Sequence, residues 1–523
     1  MAKSIHVDLH KLANFVNFAL PVGVVLFFFA GLYLSFYFHF FTVALLFVTL
    51  VNLLYLKGQN EHTLLKNFGI LGQGRYLLES VGPELRQYLF SNDREERPFD
   101  RQVRSEGYRK AKNLDSASSF GSQENFDDSE IKIRHSMYPT PYGELNDFSL
   151  TYGAERGLAS AYTLSKPIMI SAMSFGALGE NAVRSLARGA KLAGIPMNTG
   201  EGGHPKYHLM EGCDLIFQIG TAKFGVRTED GLLDEDKLAS LASQPQVKMI
   251  EIKFSQGAKP GKGGLLPKEK ITQEISELRG VPRERDVISP PFHPECSTPE
   301  KTVAFIDRIQ QITQLPTGFK ICLGNPREFS ALVAEMKRQQ VFPDFISVDG
   351  AEGGTGAAPK AFLDGVGMPL LKALPRVDSI LREAGVRERL KVNASGKLVT
   401  PAKQMIALAL GADAVYTARG FMLALGCIQA LQCGNNTCPI GITTHDPRLQ
   451  KGLDIGVKSL RVRNYVDNTI HDLEELLRST GCRSFSELTS EHLYIPSAPQ
   501  ESGYVGNAAG NVASGQPLAN AVA

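Results

Sequence analysis

One pattern repeats between residues 167 and 418 and limits the possible folds: a short apolar or β-branched run followed by a stretch with helical periodicity. The runs lie at 167–174, 195–202, 214–220, 247–255, 319–323, 345–354, 391–396 and 413–418, eight in all. Strands that alternate with helices form a parallel sheet. Eight βα units predict an α/β fold, a closed (β/α)8 TIM barrel with its catalytic groups at the C-terminal ends of the strands. A doubly wound open sheet is the alternative.

The N-terminal segment from Ala13 to Leu56 contains no Asp, Glu, Lys or Arg and is rich in Phe, Leu and Val. Its 44 residues are twice the roughly 20 that cross a bilayer, so we predict a transmembrane helical hairpin with spans at about 14–33 and 38–56. Lysines and arginines flank both ends, so the positive-inside rule predicts that both ends and the catalytic domain are cytoplasmic. A cleavable signal peptide has a shorter apolar stretch. A buried helical pair in a soluble protein is the alternative.

Changes in composition divide the chain into four predicted parts. The transmembrane hairpin occupies residues 1–57, and an amphipathic helical connector follows at 58–144. The barrel domain spans 145–480, and a C-terminal extension covers 481–523. The tail from Ser497 is rich in Ala, Gly, Ser and Asn and lacks the apolar residues of a core, which predicts partial disorder.

The charge balance and the cysteines exclude two classes of protein. Lys plus Arg number 56 against 54 for Asp plus Glu, so no strong basic field points to nucleic acid. The seven cysteines are an odd number, and four of them are scattered along the chain, unlike the framework of a secreted disulfide-rich domain. A reducing compartment is therefore expected.

Glycines and polar residues are concentrated where the predicted strands end. The sixth run ends in "DGAEGGTGAAP" (349–359), and "NASG" and "YTARG" end the seventh and eighth. In (β/α)8 barrels the loops after strands seven and eight commonly bind a phosphate through backbone amides, so we predict a phosphate-bearing cofactor. Ordinary tight turns are the alternative. The glycine runs "GAKPGK" and "GQGRYL" do not fit a P-loop or a dinucleotide fingerprint.

The stretch "KFSQGAKPGKGG" supplies Lys253, Gln256 and Lys259 at the end of the fourth run. A lysine ammonium near N1 and the C2 carbonyl of a flavin would stabilise the negative charge of the reduced ring, and a second could hold a substrate carboxylate. Lys253, Gln256 and Lys259 are therefore the candidate catalytic residues. Solvation at the surface is the alternative for any single lysine, although Lys253 lies inside an apolar strand.

Cys427, Cys433 and Cys438 fall within twelve residues, and a proline follows the last of them. Thiolates hold iron-sulfur clusters, and a Cys-Pro ending is common in such loops. Three thiolates leave one corner of a cubane without a ligand, which favours a three-iron cluster or a labile four-iron one. A zinc site would need a fourth ligand, and no further Cys or His lies between Leu425 and Ile442. Three buried structural cysteines are the alternative.

Several stretches together resemble the FMN-binding synthase domain of glutamate synthases. They are "PIMISAMSFGALGENAVRSLARGAKLAGIPMNTGEGG", "IKFSQGAKPGKGGLLP", "ISPPFHPECSTPEKT", "DGAEGGTGAAP" and "LGCIQALQCGNNTCPIGITTHDPRLQKG", in the family's order over most of residues 145–480. The resemblance implies an oxidoreductase acting on CH-NH2 groups, with a (β/α)8 barrel that binds FMN beside a 3Fe-4S cluster. Three cysteines would then suffice because the cluster has three irons.

The resemblance also implies roles for particular residues. The three clustered cysteines would hold the 3Fe-4S cluster. Lys259 would contact the flavin, Lys253 the 2-oxoglutarate region and Gln256 the isoalloxazine edge. The remaining implied contacts are with the flavin (Met173, Ser174), with its phosphate (Gly353, Gly354, Gly396 and the backbone from Thr417 to Gly420) and with the substrate (Glu201, His204, Lys223).

This sequence departs from the family at two places. Larger members carry an N-terminal glutaminase domain whose nucleophile is a cysteine just after the initiator methionine; residue 2 here is alanine, so we expect no glutamine hydrolysis by this chain. Around the substrate the family has an acidic residue, an arginine and a glutamine where this sequence has His204, Lys223 and Leu265. The flavin and cluster motifs are kept better than the substrate contacts.

The implied function is the reductive amination of 2-oxoglutarate to glutamate at a membrane-tethered enzyme with lipid around its hairpin. Electrons from a ferredoxin or a flavoprotein reductase would pass through the cluster to FMN, whose reduced N5 delivers hydride to C2 of 2-iminoglutarate. Ammonia would come from solution or from a separate glutaminase subunit. Two alternatives are an FMN-dependent dehydrogenase of another amino or hydroxy acid and a membrane electron-transfer subunit, which the hairpin favours.

Overall fold

The computed structural model of the protein describes residues 9–114, 117–123, 130–266, 268 and 271–496. The tail from Ser497, for which the sequence predicts disorder, lies outside these residues. The chain divides into two compact units, Met1–Arg101 and Gln102–Ala523. The first unit contains the apolar N-terminal segment, and the second contains the predicted barrel.

The first unit is helical, and its first two helices are apolar around their whole circumference. Its α-helices are α1 (Leu9–Tyr33), α2 (Phe38–Leu53), α3 (Thr63–Phe68) and α4 (Gln73–Leu85). A π-helical turn, Leu54–Gly58, continues α2. The side chain of Asn52 donates a hydrogen bond of 2.8 Å to Asn17 Oδ1 and so joins α2 to α1.

Two helices of this unit are long and apolar enough to cross a membrane. The candidate spans are Lys11–Tyr33 and Phe38–Gly58, with mean hydropathies of 2.2 and 2.0. Large apolar side chains such as Phe15, Phe18 and Leu26 are exposed along them. In water such a surface is unfavourable, whereas lipid would cover it. The bounds of these helices agree with the predicted spans, and the membrane location itself stays a prediction.

The second unit is built around a closed barrel of parallel strands. Its strands are β1 (Ile168–Ile170), β2 (Met197–Asn198), β3 (Leu215–Ile219), β4 (Val247–Lys253), β5 (Thr317–Ile321), β6 (Phe345–Asp349), β7 (Lys391–Ser395) and β8 (Ala414–Thr417). β8 pairs in parallel with β1, with Tyr416 opposite Met169, and this pairing closes the barrel. Seven of the predicted runs contain one of these strands, and the fifth run, 319–323, overlaps β5, which begins two residues earlier at Thr317, so the (β/α)8 prediction is confirmed. The open-sheet alternative is wrong because β1 and β8 are not edges.

Helices surround the barrel and complete the βα units. Over its described residues the helices are α5 (Arg101–Ala111), α6 (Glu180–Ala193), α7 (Lys206–Leu209), α8 (Glu235–Ala242), α9 (Gln273–Arg279), α10 (Pro299–Thr313), α11 (Pro326–Gln339), α12 (Lys360–Gly365), α13 (Leu370–Glu383), α14 (Pro401–Ala409), α15 (Arg419–Leu425), α16 (Pro447–Gln450) and α17 (Ile455–Ser479). Local sequence sets their ends. For example, the Thr298 hydroxyl caps α10 by accepting from Lys301 N, and Pro299 occupies its first turn.

A short antiparallel strand pair closes the N-terminal end of the barrel. The strands Leu150–Tyr152 and Tyr162–Leu164 pair with each other, and the Tyr152 side chain is completely buried. Its hydroxyl donates a 2.8 Å hydrogen bond to Asn393 Oδ1 on β7, and its ring meets Phe345 edge to face. Because this end is filled by side chains, the C-terminal end is left to carry a site.

Candidate active site

A pocket opens at the C-terminal end of the barrel, beside the ends of β2, β3 and β4. Most of its lining belongs to the loop after β4, where a (β/α)8 barrel carries catalytic groups. The lining comprises Glu201, Thr221, Lys253, Phe254, Ser255, Gln256, Lys259, Gly261, Lys262, Gly263, Gly264, Pro290 and Pro291. The structure thus brings the predicted catalytic residues Lys253, Gln256 and Lys259 together with Glu201.

Lys253 ends β4 and makes the central polar contacts of the pocket. Its Nζ donates hydrogen bonds to Oε1 of Glu201 and to Oε1 of Gln256. Burial alone would raise the pKa of Glu201, but the Lys253 ammonium outweighs that effect and holds the pKa below its usual value. Glu201 is therefore ionised at neutral pH and can accept a hydrogen bond from a nitrogen of a ligand.

The pocket carries an excess of positive charge. Lys253, Lys259 and Lys262 line it, and Glu201 is the one carboxylate among its described lining residues. Three positive charges and one negative charge leave a formal charge of plus two. Because charges attract more strongly where little water separates them, such a pocket suits a small dianion.

Lys259 is almost completely buried, with 6% of its surface exposed. Burial lowers the pKa of its ammonium, the charge of Lys253 lowers it further, and Glu201 opposes the shift. Its Nζ lies 3.4 Å from the carbonyl of Gly263, and no carboxylate of the described residues forms an ion pair with it. A buried cation with no direct counter-ion fits a flavin ring that becomes negative on reduction, so these residues suit the FMN that the resemblance implies.

Met173 and Ser174 follow β1 and pack against the loop after β2. Met173 is buried, and its carbonyl accepts a 3.0 Å hydrogen bond from His208 Nε2. Gly200 has a φ of +64°, and a Cβ there would lie 2.9 Å from Ser174 N. Only glycine fits this position, which allows the two loops to pack closely. The flavin contacts of Met173 and Ser174 stay predictions.

The loops after β6, β7 and β8 converge around Glu352, where the sequence predicts a phosphate site. A Cβ on Gly396 would lie 3.4 Å from the Glu352 carboxyl carbon, and Arg419 Nη2 donates to the Glu352 carbonyl at 2.6 Å. The Arg419 guanidinium also lies close to Gly354, since a Cβ there would be 3.0 Å from Nη1. Glycine backbone beside a guanidinium is suitable for a phosphate, which supports the predicted site.

Thr417 and Gly420 hold the turn between β8 and α15, and Gly353 belongs to the loop after β6. The Thr417 hydroxyl accepts a 3.3 Å hydrogen bond from Gly420 N. A Cβ on Gly420 would lie 2.3 Å from the hydroxyl oxygen of Tyr465, so the turn requires glycine there. A Cβ on Gly353 would lie 3.1 Å from the Gly350 carbonyl. These contacts shape the loops, and the phosphate contacts stay predictions.

The cysteine loop places its thiols in different environments. Cys433 is exposed, Cys438 is buried and Cys427 is partly exposed. Burial raises the pKa of Cys427 to about 11, and the charges of Cys433 and Cys438 add to the shift. Burial alone would also raise the pKa of Cys438, but hydrogen bonds from nearby backbone amides lower it below its usual value. Amide groups that stabilise a thiolate suit an iron-sulfur centre.

The described residues contain no group of three or more His, Cys, Asp or Glu side chains arranged to hold a metal ion. The iron-sulfur cluster therefore stays a prediction, supported by the donor chemistry of the three thiols. The cysteine loop does contact the glycine-rich loop after β6: a Cβ on Gly356 would lie 3.1 Å from the carbonyl of Cys433. The tertiary structure thus brings the two predicted cofactor loops together.

Two predicted substrate residues are not brought to this pocket. His204 lines a second pocket together with Gly225, Asp236 and Lys237. Lys223 is buried, and its Nζ forms an ion pair of 3.1 Å with Glu295. The departures from the family at these positions therefore do not alter the lining of the pocket around Lys253. Leu265 follows that lining in a short strand, Leu265–Leu266, paired with Val287–Ile288.

Sequence reasoning missed several residues of the site. Lys262 and Thr221 line the pocket, and the Thr221 hydroxyl donates a 2.7 Å hydrogen bond to the Pro290 carbonyl. Lys262 could have been found, since it shares the glycine-rich loop of Lys259. Pro290 lies in "ISPPFHPECSTPEKT", one of the stretches that resemble the family, but its position in the pocket depends on the tertiary contacts of the long insertion between β4 and β5. Arg419 was likewise included only in the stretch "YTARG", and no role was predicted for its side chain.

Comparisons with known proteins agree with this geometry. Residues 110–483 match the conserved region in glutamate synthase. The chain is 40% identical over 480 residues to the glutamate synthase large subunit-like protein YerD of Bacillus subtilis, covering 84% of this chain and 91% of that protein. It is 38% identical over 331 residues to the archaeal glutamate synthase [NADPH] of Methanocaldococcus jannaschii, covering 63% of this chain and 62% of that protein.

Among solved structures, a flavocytochrome b2 mutant with pyruvate bound overlaps the chain with a TM-score of 0.46 at 15% identity. The overlap covers 85% of this chain and 94% of that one.

Proposed function

Because the chain belongs to the glutamate synthase family, we propose that it catalyses the reductive amination of 2-oxoglutarate to glutamate with FMN and a three-iron cluster. One 2-oxoglutarate, one ammonium ion, two electrons and two protons give one glutamate and one water. The observation that carries the proposal is the number of lysines in the pocket: with Lys259 assigned to the flavin, Lys253 and Lys262 remain, one for each carboxylate of 2-oxoglutarate.

In this proposal the residues around Lys253 bind and orient the substrate. Lys253 and Lys262 hold its carboxylates, while Gln256 fixes the direction of the Lys253 ammonium through their hydrogen bond. Glu201 is ionised beside Lys253 and accepts a hydrogen bond from the nitrogen that is being added. FMN, when bound, supplies the hydride through its reduced ring.

Lys259 and the loops after β6 to β8 bind the cofactor. The Lys259 ammonium would stabilise the negative charge of the reduced flavin ring. Backbone amides near Gly354 and Gly396, with the Arg419 guanidinium, bind the phosphate. The thiols of Cys427, Cys433 and Cys438 would hold the iron-sulfur cluster, which would supply one-electron chemistry next to the flavin. The donor is a separate protein, a ferredoxin or a flavoprotein reductase.

The location of the enzyme is part of the proposal. We assign Lys11–Tyr33 and Phe38–Gly58 to the bilayer because both are long, apolar and exposed, and we place the catalytic unit in the cytoplasm. Full-length protein should remain with the membrane fraction after an alkaline carbonate wash. Recovery of the intact chain in the wash would contradict the assignment.

The proposed reaction is tested with full-length protein purified anaerobically in a nonionic detergent. The protein should contain FMN, iron and inorganic sulfide, and dithionite-reduced enzyme should be reoxidised by 2-oxoglutarate plus ammonium with formation of glutamate. A panel of other 2-oxo acids is the control, because it represents the alternative of another amino or hydroxy acid. Reoxidation by a different acid, or by none, would refute the glutamate reaction. Efficient transfer to a quinone without any acid substrate would favour a membrane electron-transfer subunit.

A further inference from the structure

A cluster of cations lies beside the cysteine loop on the second unit. Lys458 and Arg461, on the first turns of α17, converge on Gly426: a Cβ there would lie 3.3 Å from Lys458 Nζ and 3.9 Å from Arg461 Nη1. Lys112 follows the C-terminal end of α5, which α17 contacts through a 3.3 Å hydrogen bond from Asn464 to the Ala111 carbonyl. We call Lys112, Lys458 and Arg461 the basic patch.

The three charges of the basic patch are not neutralised by nearby acids. No salt bridge to Lys112, Lys458 or Arg461 is formed within the described part of the chain. Burial lowers the pKa of Lys458, and the positive charges of Arg461 and Lys112 lower it further. Like charges therefore repel one another at this surface, and an anionic ligand would relieve the repulsion.

The cations of the patch lie in the first half of α17. The Asp454 carboxylate caps this helix by accepting a 2.7 Å hydrogen bond from Val457 N, and its charge favours the positive end of the helix dipole. Over residues 455–466 the helix itself carries Lys458, Arg461 and Arg463 and no acidic residue. The exposed side of this half therefore has an excess of positive charge that suits an acidic partner.

Exposed apolar side chains accompany the cations. On α17, Val457 is 52% exposed and Leu460 is 48% exposed, and on the cysteine loop Leu431 is 71% exposed. A small inorganic anion would not use this apolar surface. Charged side chains around exposed apolar ones are typical of a protein-protein interface.

The patch directly adjoins the loop proposed to hold the cluster. Gly426, on which the cations converge, precedes Cys427, and the Tyr108 hydroxyl of α5 donates a hydrogen bond to the Cys427 carbonyl. Electron transfer between proteins slows steeply with distance, so a donor must dock close to the accepting centre. A donor bound to the basic patch would meet this requirement.

We propose that the basic patch is the docking surface for an acidic electron-carrier protein that reduces this enzyme through the cysteine loop. The inference rests on the proposed function, because it names the type of donor. Each docking event transfers one electron from the reduced carrier, which leaves oxidised, and two events supply the two electrons that form one glutamate.

The test uses full-length enzyme in nonionic detergent and a reduced bacterial ferredoxin of net negative charge as the probe. Stopped-flow absorbance gives the second-order rate constant for reduction of the enzyme at several ionic strengths. Lys458→Glu and Arg461→Glu should each lower this constant about tenfold at low salt, because charge steering of that size is common, and the difference should shrink at high salt. The matched control is Lys301→Glu, an equal charge change near the N-terminus of α10, which should stay within about twofold of the wild type.

Three results would overturn the docking inference. Unchanged rate constants in both patch variants would do so, as would an equal decrease in Lys301→Glu. A third such result is weaker binding of the patch variants to phosphatidylserine vesicles with no change in their rate constant for reduction by ferredoxin. The surface would then be a lipid contact. Dithionite reduces the enzyme without a docking surface, so glutamate formation by the enzyme with dithionite as the reductant is measured in parallel. If the wild type forms no glutamate with dithionite, the proposed function is refuted. The rate constants for reduction by ferredoxin still test whether the basic patch is the docking surface.

Discussion

Two carboxylates of the barrel differ in how their charge is satisfied. Glu251 lies inside the barrel, two residues before Lys253 on β4, and accepts hydrogen bonds from Asn198 at 2.8 Å, Gln218 at 2.6 Å and Ser347 at 2.7 Å. Glu201 lies in the pocket, where its partner is the Lys253 ammonium. The interior carboxylate has a complete set of partners from the protein, whereas the pocket keeps an excess of charge.

This difference distinguishes a polar group that stabilises the fold, Glu251, from one that belongs to a ligand-binding pocket, Glu201. A buried polar group is tolerated when every partner is present, and such a network fixes one arrangement of the strands. The pocket instead leaves the buried Lys259 without an ion pair among the described residues, which a protein can maintain only at a cost, while Lys262 is exposed at the mouth of the pocket. We infer that the interior network serves the fold and that the lysines at the mouth serve a ligand.

Lys253→Met should give the largest effect. The substitution keeps the length of the side chain but removes the charge that faces both Glu201 and the substrate, so kcat for glutamate formation with dithionite should fall by about 1,000-fold. The bound FMN content should stay the same. A kcat within tenfold of the wild type would contradict the central role of Lys253.

Glu251→Leu should act on stability instead. Three buried donors would lose their acceptor, which should lower the free energy of unfolding by about 3 kcal/mol. Glu251→Gln is the matched control and should cost less than about 1 kcal/mol, because its carbonyl can accept from Asn198 and Gln218 while its amide donates to Ser347. Thermal unfolding of detergent-solubilised protein measures both. Equal losses of unfolding free energy in the two variants would show that the hydrogen bonds of Glu251 are not the source of its contribution to stability.

Lys259→Met should weaken cofactor binding. Loss of the buried ammonium should raise the Kd of FMN for the apoprotein by about 30-fold, measured by flavin fluorescence. Because the pKa of Lys259 is below its ordinary 10.5, the wild-type affinity should fall as the pH rises through that lowered pKa, where the ammonium loses its proton. The variant should show no such alkaline loss, and a loss of the same size would assign the titration to another group.

His204→Ala should give the smallest effect. His204 lines a different pocket from Glu201 and Lys253, so kcat and the KM for 2-oxoglutarate should change by less than about twofold. A tenfold increase in KM would restore the substrate role that the resemblance implies. The same assay on Glu201→Gln provides the contrast, since that residue does line the pocket.

The sequence by itself determined the periodic parts of this protein. The eight runs predicted the eight barrel strands because side-chain patterning and strand-helix alternation are local properties. The same holds for the two apolar helices, whose length and lack of charge are read directly from the chain. Lys253, Gln256 and Lys259 were predicted for a similar reason, since residues at the C-terminal end of one strand share one loop.

Only the tertiary structure decided which distant residues meet. Pro290 lies in an insertion and lines the first pocket, whereas His204 lines a second pocket. Lys223 forms an ion pair with Glu295. The contact between Gly356 and Cys433 and the convergence of Lys458 and Arg461 on Gly426 likewise join segments far apart in the chain. Such contacts depend on the packing of many side chains at once, and no local pattern in the sequence encodes them.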